Sequence, residues 1–190
     1  MTFLTDFADQ AVALPIVAAV AILLAIRGWR RGVFAWLGVT GATFGVVLVL
    51  KLIFLGCEPV FAPWLLNSPS GHTATAAVLA GGLVALLTGR QIAVLPVALL
   101  AAVAIGTSRL ELGVHSTVEV VIGGAVGVTG AVVLCALAGP PPSRRPVSLL
   151  AIAVVVAVLL HGVRLPAEDA IRRVSLGLLD FVPACRVAPP

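Results

Sequence analysis

The chain has 190 residues, of which 61% are apolar and 11% charged, and its mean hydropathy is +1.18. About a quarter of the residues of a soluble globular domain are charged, so this chain carries too few charges to cover a surface that faces water. The same composition excludes a disordered chain, which combines low hydrophobicity with high net charge. We therefore expect a polytopic membrane protein that forms one domain over residues 1–190.

Six stretches without a charged residue predict the membrane-spanning helices, because about 20 apolar residues cross a bilayer as a helix. In chain order they cover residues 11–26, 32–50, 73–89, 91–108, 120–143 and 146–163. Glycine, proline and arginine separate them, as expected of turns. Asp6 and Asp9, rather than basic residues, precede the first stretch, which disfavours a cleaved secretory signal. The sequence predicts an all-α bundle of six transmembrane helices.

The distribution of arginine predicts the orientation of this bundle. If the helices alternate in direction, one side of the membrane receives six arginines and no acidic residue. These are Arg27, Arg30, Arg31, Arg90, Arg144 and Arg145. The positive-inside rule makes that side cytoplasmic and leaves both termini extracytoplasmic. The tryptophans lie near the predicted interfaces and are expected to anchor the bundle there; they are Trp29, Trp36 and Trp64.

The net charge of +4 does not indicate a nucleic-acid partner, because the basic residues are scattered between apolar stretches and form no patch. The cysteines lack the spacing of a zinc site or of a disulfide framework. Cys57 and Cys185 are both assigned to the outer side, where a disulfide can persist, but free thiols are the expectation that we favour. We expect Cys135 to be a small apolar residue within the fifth helix.

Glycines at helical spacing predict close packing of two helices. Four lie on the fifth predicted helix, at Gly123, Gly124, Gly127 and Gly130, and three on the second, at Gly38, Gly41 and Gly45.

The tail, residues 164–190, contains an amphipathic segment at 167–182. Its apolar residues recur at helical intervals, at Ile171, Val174, Leu178 and Phe181. Two pairs of opposite charge, Glu168–Arg172 and Asp169–Arg173, are spaced four residues apart. Two interpretations stay open. The helix lies on the outer leaflet beside the opening of a site, or it packs on the bundle without a role in substrate access.

Polar residues concentrate at helix ends on the predicted outer side, between residues 51 and 119. Polar groups at membrane depth are costly, so such a concentration indicates function. The residues are Lys51 near the end of the second helix; Ser70, Gly71 and His72 before the third; Ser108 and Arg109 at the end of the fourth; and His115 and Glu119 at the start of the fifth.

Part of this set is suited to binding phosphate. Gly71 opens a helix, where free backbone N–H groups favour an anion and the missing side chain permits a close approach. Arg109 offers a planar fork for two phosphate oxygens, and Lys51 adds a point charge.

The remaining residues are suited to nucleophilic catalysis. His115 and Glu119 are four residues apart and therefore share one helical face. The carboxylate can hold one imidazole nitrogen and leave the other free to attack phosphorus. His72 can then donate a proton to the leaving group.

The order and spacing of these motifs resemble the three-part signature of the type 2 phosphatidic acid phosphatases, a superfamily that includes the lipid phosphate phosphatases and vanadium haloperoxidases. The resemblance implies that His115 forms a phosphohistidine, that Glu119 orients it and that His72 protonates the leaving oxygen. It implies phosphate ligands at Lys51, Ser70, Gly71, Ser108 and Arg109, and it implies neither a metal nor another cofactor.

The function that the resemblance implies is hydrolysis of a terminal phosphate or diphosphate on a membrane lipid, at the extracytoplasmic face of a bacterial inner membrane. The lipid is an isoprenoid, a phosphatidyl lipid or a saccharolipid. Two alternatives stay open. One is a lipid phosphotransferase that uses the same phosphohistidine, and the other is a catalytically silent lipid-binding protein. The oligomeric state is not predicted.

Two positions depart from the family pattern. Glu58 stands where the first motif has arginine, which would remove a phosphate-binding cation and could place a repulsive charge in the pocket. Arg164, or Arg172 and Arg173 in the tail, are candidates to replace it. Glu119 stands where the third motif has aspartate, so that the charge is kept on a side chain that is one methylene longer.

Overall fold

The computed structural model describes residues 5–64, 66–142, 147–179, 182 and 185, and these ranges contain helices and no strand. The helices are α1 (Gln10–Ile26), α2 (Arg30–Gly56), α3 (Glu58–Phe61), α4 (Gly71–Thr88), α5 (Gln91–Glu111), α6 (Thr117–Ala138), α7 (Val147–Leu159) and α8 (Ala167–Leu179), with a 3₁₀ turn at Ala62–Trp64. The all-α prediction is confirmed for these ranges.

Four helices, α2, α4, α5 and α6, are long and apolar enough to cross a membrane. The apolar helices α1 and α7 are shorter, with 17 and 13 residues. At 1.5 Å per residue, α7 spans about 20 Å of an apolar layer about 30 Å thick. The chain is therefore a helical membrane protein, whereas the count of six spans and the side of the termini stay predictions. Arg144, Arg145 and the adjoining ends of two predicted stretches, at 143 and 146, lie outside the described residues.

Helix α4 lies at the centre of the bundle and packs against α2, α5 and α6, while α2 also contacts α1, α6 and α8. Trp36 of α2 is fully buried in this core, and its indole N–H donates to the Val17 carbonyl at 2.9 Å. Gly82 makes room for the ring, since a Cβ there would lie 2.9 Å from it. The prediction that Trp36 is an interface anchor is therefore wrong. Trp29 is half-buried against the core and Trp64 is exposed.

The glycines of α6 allow a close approach to α4. A Cβ on Gly123 would collide with the carbonyl oxygen of Ser70, and one on Gly127 with that of Ala74. The predicted close packing of this stripe is confirmed, and it sets the distance between the two helices that carry the site. On α2 the same prediction is wrong, because a Cβ would meet no described atom within 4 Å at Gly38, Gly41 or Gly45.

We expect Gly127→Ala to destabilise the protein, because the added methyl group forces α6 away from the α4 backbone. The free energy of unfolding should fall by about 1–3 kcal/mol, as for other overpacked sites. Gly41→Ala is the matched control, since it adds a methyl group in open space and improves helix propensity. Apparent melting temperatures of the two variants in detergent test this. Equal values for Gly127→Ala and Gly41→Ala would contradict the packing argument.

A disulfide joins Cys57, directly after α2, to Cys185. The prediction of free thiols at these two positions is therefore wrong. Local spacing does not predict this bond, because its partners are 128 residues apart and meet only when the tail folds back along α2. Cys135 is a buried free cysteine within α6, as expected.

Candidate active site

The polar residues predicted at the helix ends meet at one end of the bundle. Lys51 lies within the last two turns of α2, Ser70 caps α4, and Arg109 lies in the last turn of α5. Residues His115 and Glu119 flank the start of α6. The loop between α3 and α4 connects them, because Ser68 accepts a hydrogen bond from Lys51 through its hydroxyl and donates one to Glu119 through its backbone.

His115 is held by one ring nitrogen. Its Nδ1 lies 2.9 Å from Glu119 Oε2, and because an ionised carboxylate only accepts, Nδ1 carries the proton and Nε2 keeps its lone pair. Burial lowers the pKa of His115, and the positive charges of Lys51 and Arg109 lower it further, whereas the hydrogen bond that His115 donates to Glu119 raises it. The net pKa is below the ordinary 6.5, so the neutral, nucleophilic form predominates at pH 7.

Glu119 organises more of the site than the imidazole. Its Oε1 accepts backbone N–H groups from Asn67 and Ser68, each at 2.6 Å, and its Oε2 accepts that of Ser116 at 3.0 Å. With the Ser116 side chain it forms a capping box at the start of α6. A glutamate at the third helical position has the reach that this box requires, which gives a physical reason for the longer side chain at this position.

The Ser70-Gly71-His72 turn is fixed from both sides. The Ser70 backbone N–H donates to the Glu119 carbonyl at 3.0 Å, and its hydroxyl lies 2.8 Å from Thr73 Oγ1 and caps α4. A Cβ on Gly71 would lie 3.4 Å from Lys51 Cε, so glycine suits the close approach of the lysine. The positive end of α4 thus lies beside Lys51.

A polar cavity of about 320 Å³ lies on one side of His72 and is lined by Asp9, Arg109 and Arg164 among others. His72 Nε2 is 3.7 Å from Asp9 Oδ2. Arg109 Nε is buried and has no hydrogen-bond partner within the described part of the chain. An unpartnered buried guanidinium nitrogen is costly, and an anion in this cavity would satisfy it.

A second, mainly apolar cavity of about 270 Å³ shares His72, Asp9 and Leu165 with the first. Lys51, Gly71 and His72 line its polar end. Its apolar lining comes from α1, α2 and α8, with Leu14, Phe44, Val47, Leu48 and Ile171. The predicted proton donor thus lines both cavities.

Lys51 is buried and already paired. Its Nζ donates to Ser68 Oγ at 2.8 Å and to the two carboxylate oxygens of Glu168 at 2.6 and 2.7 Å. The spacing in the tail suggested that Glu168 faces Arg172 one turn further on. Instead, Glu168 is bonded to Lys51, and Arg172 Nη2 lies 3.6 Å from Glu58 Oε2.

The remaining predicted residues lie at the edge of this centre. Ser108 is buried, and its hydroxyl is 2.9 Å from Thr5 Oγ1. Glu58 belongs to α3, and its side chain is 45% exposed and faces Arg172. Arg164 pairs with Asp6 at 2.8 Å and lines the polar cavity. Of the cations named as replacements for the family arginine, Arg164 is therefore the one beside Arg109, while Arg172 neutralises Glu58.

Sequence reasoning missed Asp9, Ser68 and Glu168 as residues of the site. Asp9 had a local signal, since it directly precedes an apolar stretch and caps α1 by accepting the Ala11 N–H at 2.8 Å. Nothing local connects Glu168 to Lys51. Within the described ranges, no three histidine, cysteine or acidic side chains are grouped to hold a metal ion.

Comparisons with known proteins agree with the motifs. The PAP2 superfamily matches residues 53–140, which include the second and third motifs. The chain is 31% identical over 193 residues to a Klebsiella pneumoniae protein described as an uncharacterized 22.5 kDa protein in the cps region, with 92% of this chain and 90% of the relative covered. No solved structure matches the chain significantly. The motifs, the helical membrane fold and these matches together place the chain in the PAP2 superfamily.

Proposed function

We propose that the protein is an integral-membrane lipid phosphatase that removes a terminal phosphate or diphosphate group through a phosphohistidine. The observation that carries the proposal is the setting of His115. Its Nδ1 is bound to Glu119, while Lys51 and Arg109 act on it electrostatically. Membership of a superfamily of phosphatases supports the same reaction class.

In the first step, the lone pair of His115 Nε2 attacks phosphorus and the bond from phosphorus to the lipid oxygen breaks. His72, whose Nε2 lies 3.7 Å from Asp9 Oδ2, supplies the proton that this oxygen takes. Charge on the transferring phosphoryl group is stabilised by Arg109, by Lys51 and by the N-terminus of α4, because phosphoryl transfer depends mainly on positioning and charge stabilisation.

In the second step, a water molecule attacks the phosphohistidine. The phosphorus–nitrogen bond breaks, its electron pair returns to His115 Nε2, and His72 takes the proton that the water loses. The products are inorganic phosphate and the starting form of the enzyme. The polar cavity beside Arg109 and His72 offers the water its approach.

The two cavities support an amphiphilic substrate. The apolar cavity ends at Lys51, Gly71 and His72, so a lipid tail lying in it would present its head group to the phosphate ligands. A wholly polar substrate would leave this apolar lining without a partner. An isoprenoid, a phosphatidyl lipid and a saccharolipid all satisfy this requirement.

The face and the membrane are part of the proposal. At the end of the bundle opposite the site, Arg27 follows α1, Arg30 and Arg31 begin α2, and Arg90 directly precedes α5. The positive-inside rule therefore puts the site on the extracytoplasmic side, and a bacterial inner membrane is the membrane we propose. The domain is the whole chain, since residues of α1 and α8 complete the cavities that the motif core, 51–119, begins.

A phosphotransferase remains the second candidate, because the polar cavity of about 320 Å³ has room for an acceptor other than water. A catalytically silent lipid-binding protein is less well supported. That alternative was based on Glu58 in the pocket, whereas Glu58 pairs with Arg172.

A panel of lipid phosphates incubated with purified wild-type protein and with His115→Ala tests the proposal. We expect the rate of phosphate release by His115→Ala to be more than about 10³-fold below that of wild type, since the nucleophile is gone. His161→Ala is the matched control, because His161 packs against Phe7 with ring centroids 4.6 Å apart and its loss should leave the rate within about threefold. Equal release by wild type and His115→Ala would refute the mechanism. Transfer to a second lipid without free phosphate would identify the transferase.

A further inference from the structure

The carboxylate of Glu168 fills the hydrogen-bonding capacity of Lys51. A lysine ammonium group has three N–H donors, and the three acceptors within reach of Lys51 Nζ are Ser68 Oγ and both oxygens of Glu168, at 2.6 to 2.8 Å. A phosphate that reached His115 would need one of these donors. With Glu168 in this position, none is left for it.

The other cation of the site is in the opposite state. Arg109 Nε is buried, and no described residue accepts its hydrogen bond. The site therefore holds one cation that is bonded to an internal carboxylate and one whose buried Nε lacks an acceptor among the described residues. A phosphate can contact Arg109 directly, but it contacts both cations only if the carboxylate leaves Lys51.

The position of Glu168 is built into the fold. It lies in the first turn of α8, which packs along α2. Arg172, one turn later, lies 3.6 Å from Glu58, and the disulfide of Cys57 ties the following segment to the end of α2. The neighbouring side chain of Ile171 lines the apolar cavity together with Glu168.

The carboxylate is also charged and free to leave. Burial by itself would raise the pKa of Glu168, but the charge and hydrogen bond of Lys51, with the hydrogen bond of Ser68, outweigh burial and lower it. The Glu168 side chain is 59% exposed, whereas that of Lys51 is 6% exposed. Rotation of the glutamate side chain can therefore release Lys51 while α8 stays in place.

We propose that Glu168 is a built-in competitor for the phosphate site: its carboxylate occupies Lys51 when the site is empty, yields to the substrate's phosphate, and returns to help inorganic phosphate leave after hydrolysis. The inference rests on the proposed function, because it takes Lys51 as a phosphate ligand. The amphipathic tail then combines parts of both interpretations, since α8 packs on the bundle along α2 and also takes part in the site.

Calorimetric titration of the full-length protein in detergent with inorganic phosphate tests the competition without requiring turnover. We expect Glu168→Gln to bind phosphate about tenfold more tightly than wild type, since a charge-assisted contact to Lys51 no longer has to be broken. Asp169→Asn is the matched control. It removes the same charge from the next residue of α8, which is exposed, and should change the dissociation constant by less than about twofold.

The outcomes separate this inference from the proposed function. Unchanged, weaker or undetectable phosphate binding by Glu168→Gln, or equal tightening by Asp169→Asn, overturns the competition even if lipid phosphate hydrolysis is established. Tenfold tightening in a protein that releases no phosphate from any lipid would sustain the competition and refute the phosphatase. If Glu168→Gln has a lowered melting temperature, Glu168→Asp provides a second test. It keeps the charge but shortens the reach to Lys51, and tightening is again expected.

Discussion

Replacement of Glu119 by glutamine is expected to lower kcat/KM by about 10³-fold, comparable to the loss of the carboxylate that orients a catalytic histidine. Both oxygens of Glu119 accept hydrogen bonds, one from the backbone of Asn67 and Ser68 and the other from Ser116 and His115. The glutamine side chain has one accepting oxygen, and its NH₂ group only donates. One of these two pairs of N–H donors would therefore face the NH₂ group and lose its acceptor. Either the loop before α4 loses its hydrogen bonds to residue 119, or His115 loses the acceptor that keeps the proton on Nδ1.

A second readout of the same variant is the pH dependence of kcat/KM. His115 must be neutral to attack, and its pKa lies below the ordinary 6.5, so the wild-type rate should fall with decreasing pH only below that value. The hydrogen bond with Glu119 raises the pKa of His115. Its removal should therefore move this acidic limb to lower pH while the plateau falls. A limb that moves to higher pH would contradict the assignment.

Glu119→Asp is the informative control, because it restores the residue usual in the family. Aspartate is shorter by one carbon–carbon bond, about 1.5 Å, and cannot reach the loop at Asn67 and the Ser116 N–H together. We expect its kcat/KM to lie between those of wild type and Glu119→Gln. Wild-type activity in Glu119→Asp would show that the longer reach has no part in catalysis.

The helices were predictable from the sequence because charged side chains are costly within the apolar layer of a bilayer, so that charge-free stretches mark the helices. The charge-free stretch at 91–108, for example, agrees with α5 (Gln91–Glu111). The gathering of Ser70, Arg109 and His115 was predictable for a related reason, since alternating helices bring consecutive ends to the same side. Local sequence pattern carries both inferences.

The features that sequence reasoning missed depend on segments that meet only in three dimensions. Trp36 was assigned to an interface by its position along α2, but its face of the helix is decided by the space that Gly82 leaves. Glu168 and Lys51 are separated by 117 residues, and no periodicity relates a tail helix to one lysine of another helix. Glu58 was expected to bring a repulsive charge to the pocket, but its carboxylate lies 3.6 Å from the guanidinium group of Arg172 in the tail.

Arg109→Lys is expected to lower kcat/KM by about 10²-fold or more, as for loss of a donor that stabilises transition-state charge. The substitution keeps the positive charge but removes the planar fork and the Nε atom that lacks a described partner. Lys51 is already bonded to Glu168, so Arg109 is the cation without a hydrogen-bonded carboxylate among the described residues when the phosphate arrives. A lysine at position 109 would not reproduce the contact of a guanidinium group with two phosphate oxygens.

Arg164→Lys is the matched control for this substitution. Arg164 lines the same polar cavity, but its side chain is 58% exposed and pairs with Asp6, so kcat/KM should stay within about threefold. Inhibition by orthovanadate, which resembles the pentacoordinate phosphoryl group, should weaken in parallel with kcat/KM for Arg109→Lys, because both depend on equatorial oxygens in the fork. If Arg109→Lys retained wild-type activity and vanadate affinity, charge alone would suffice there, and the open guanidinium would have no part in transition-state binding.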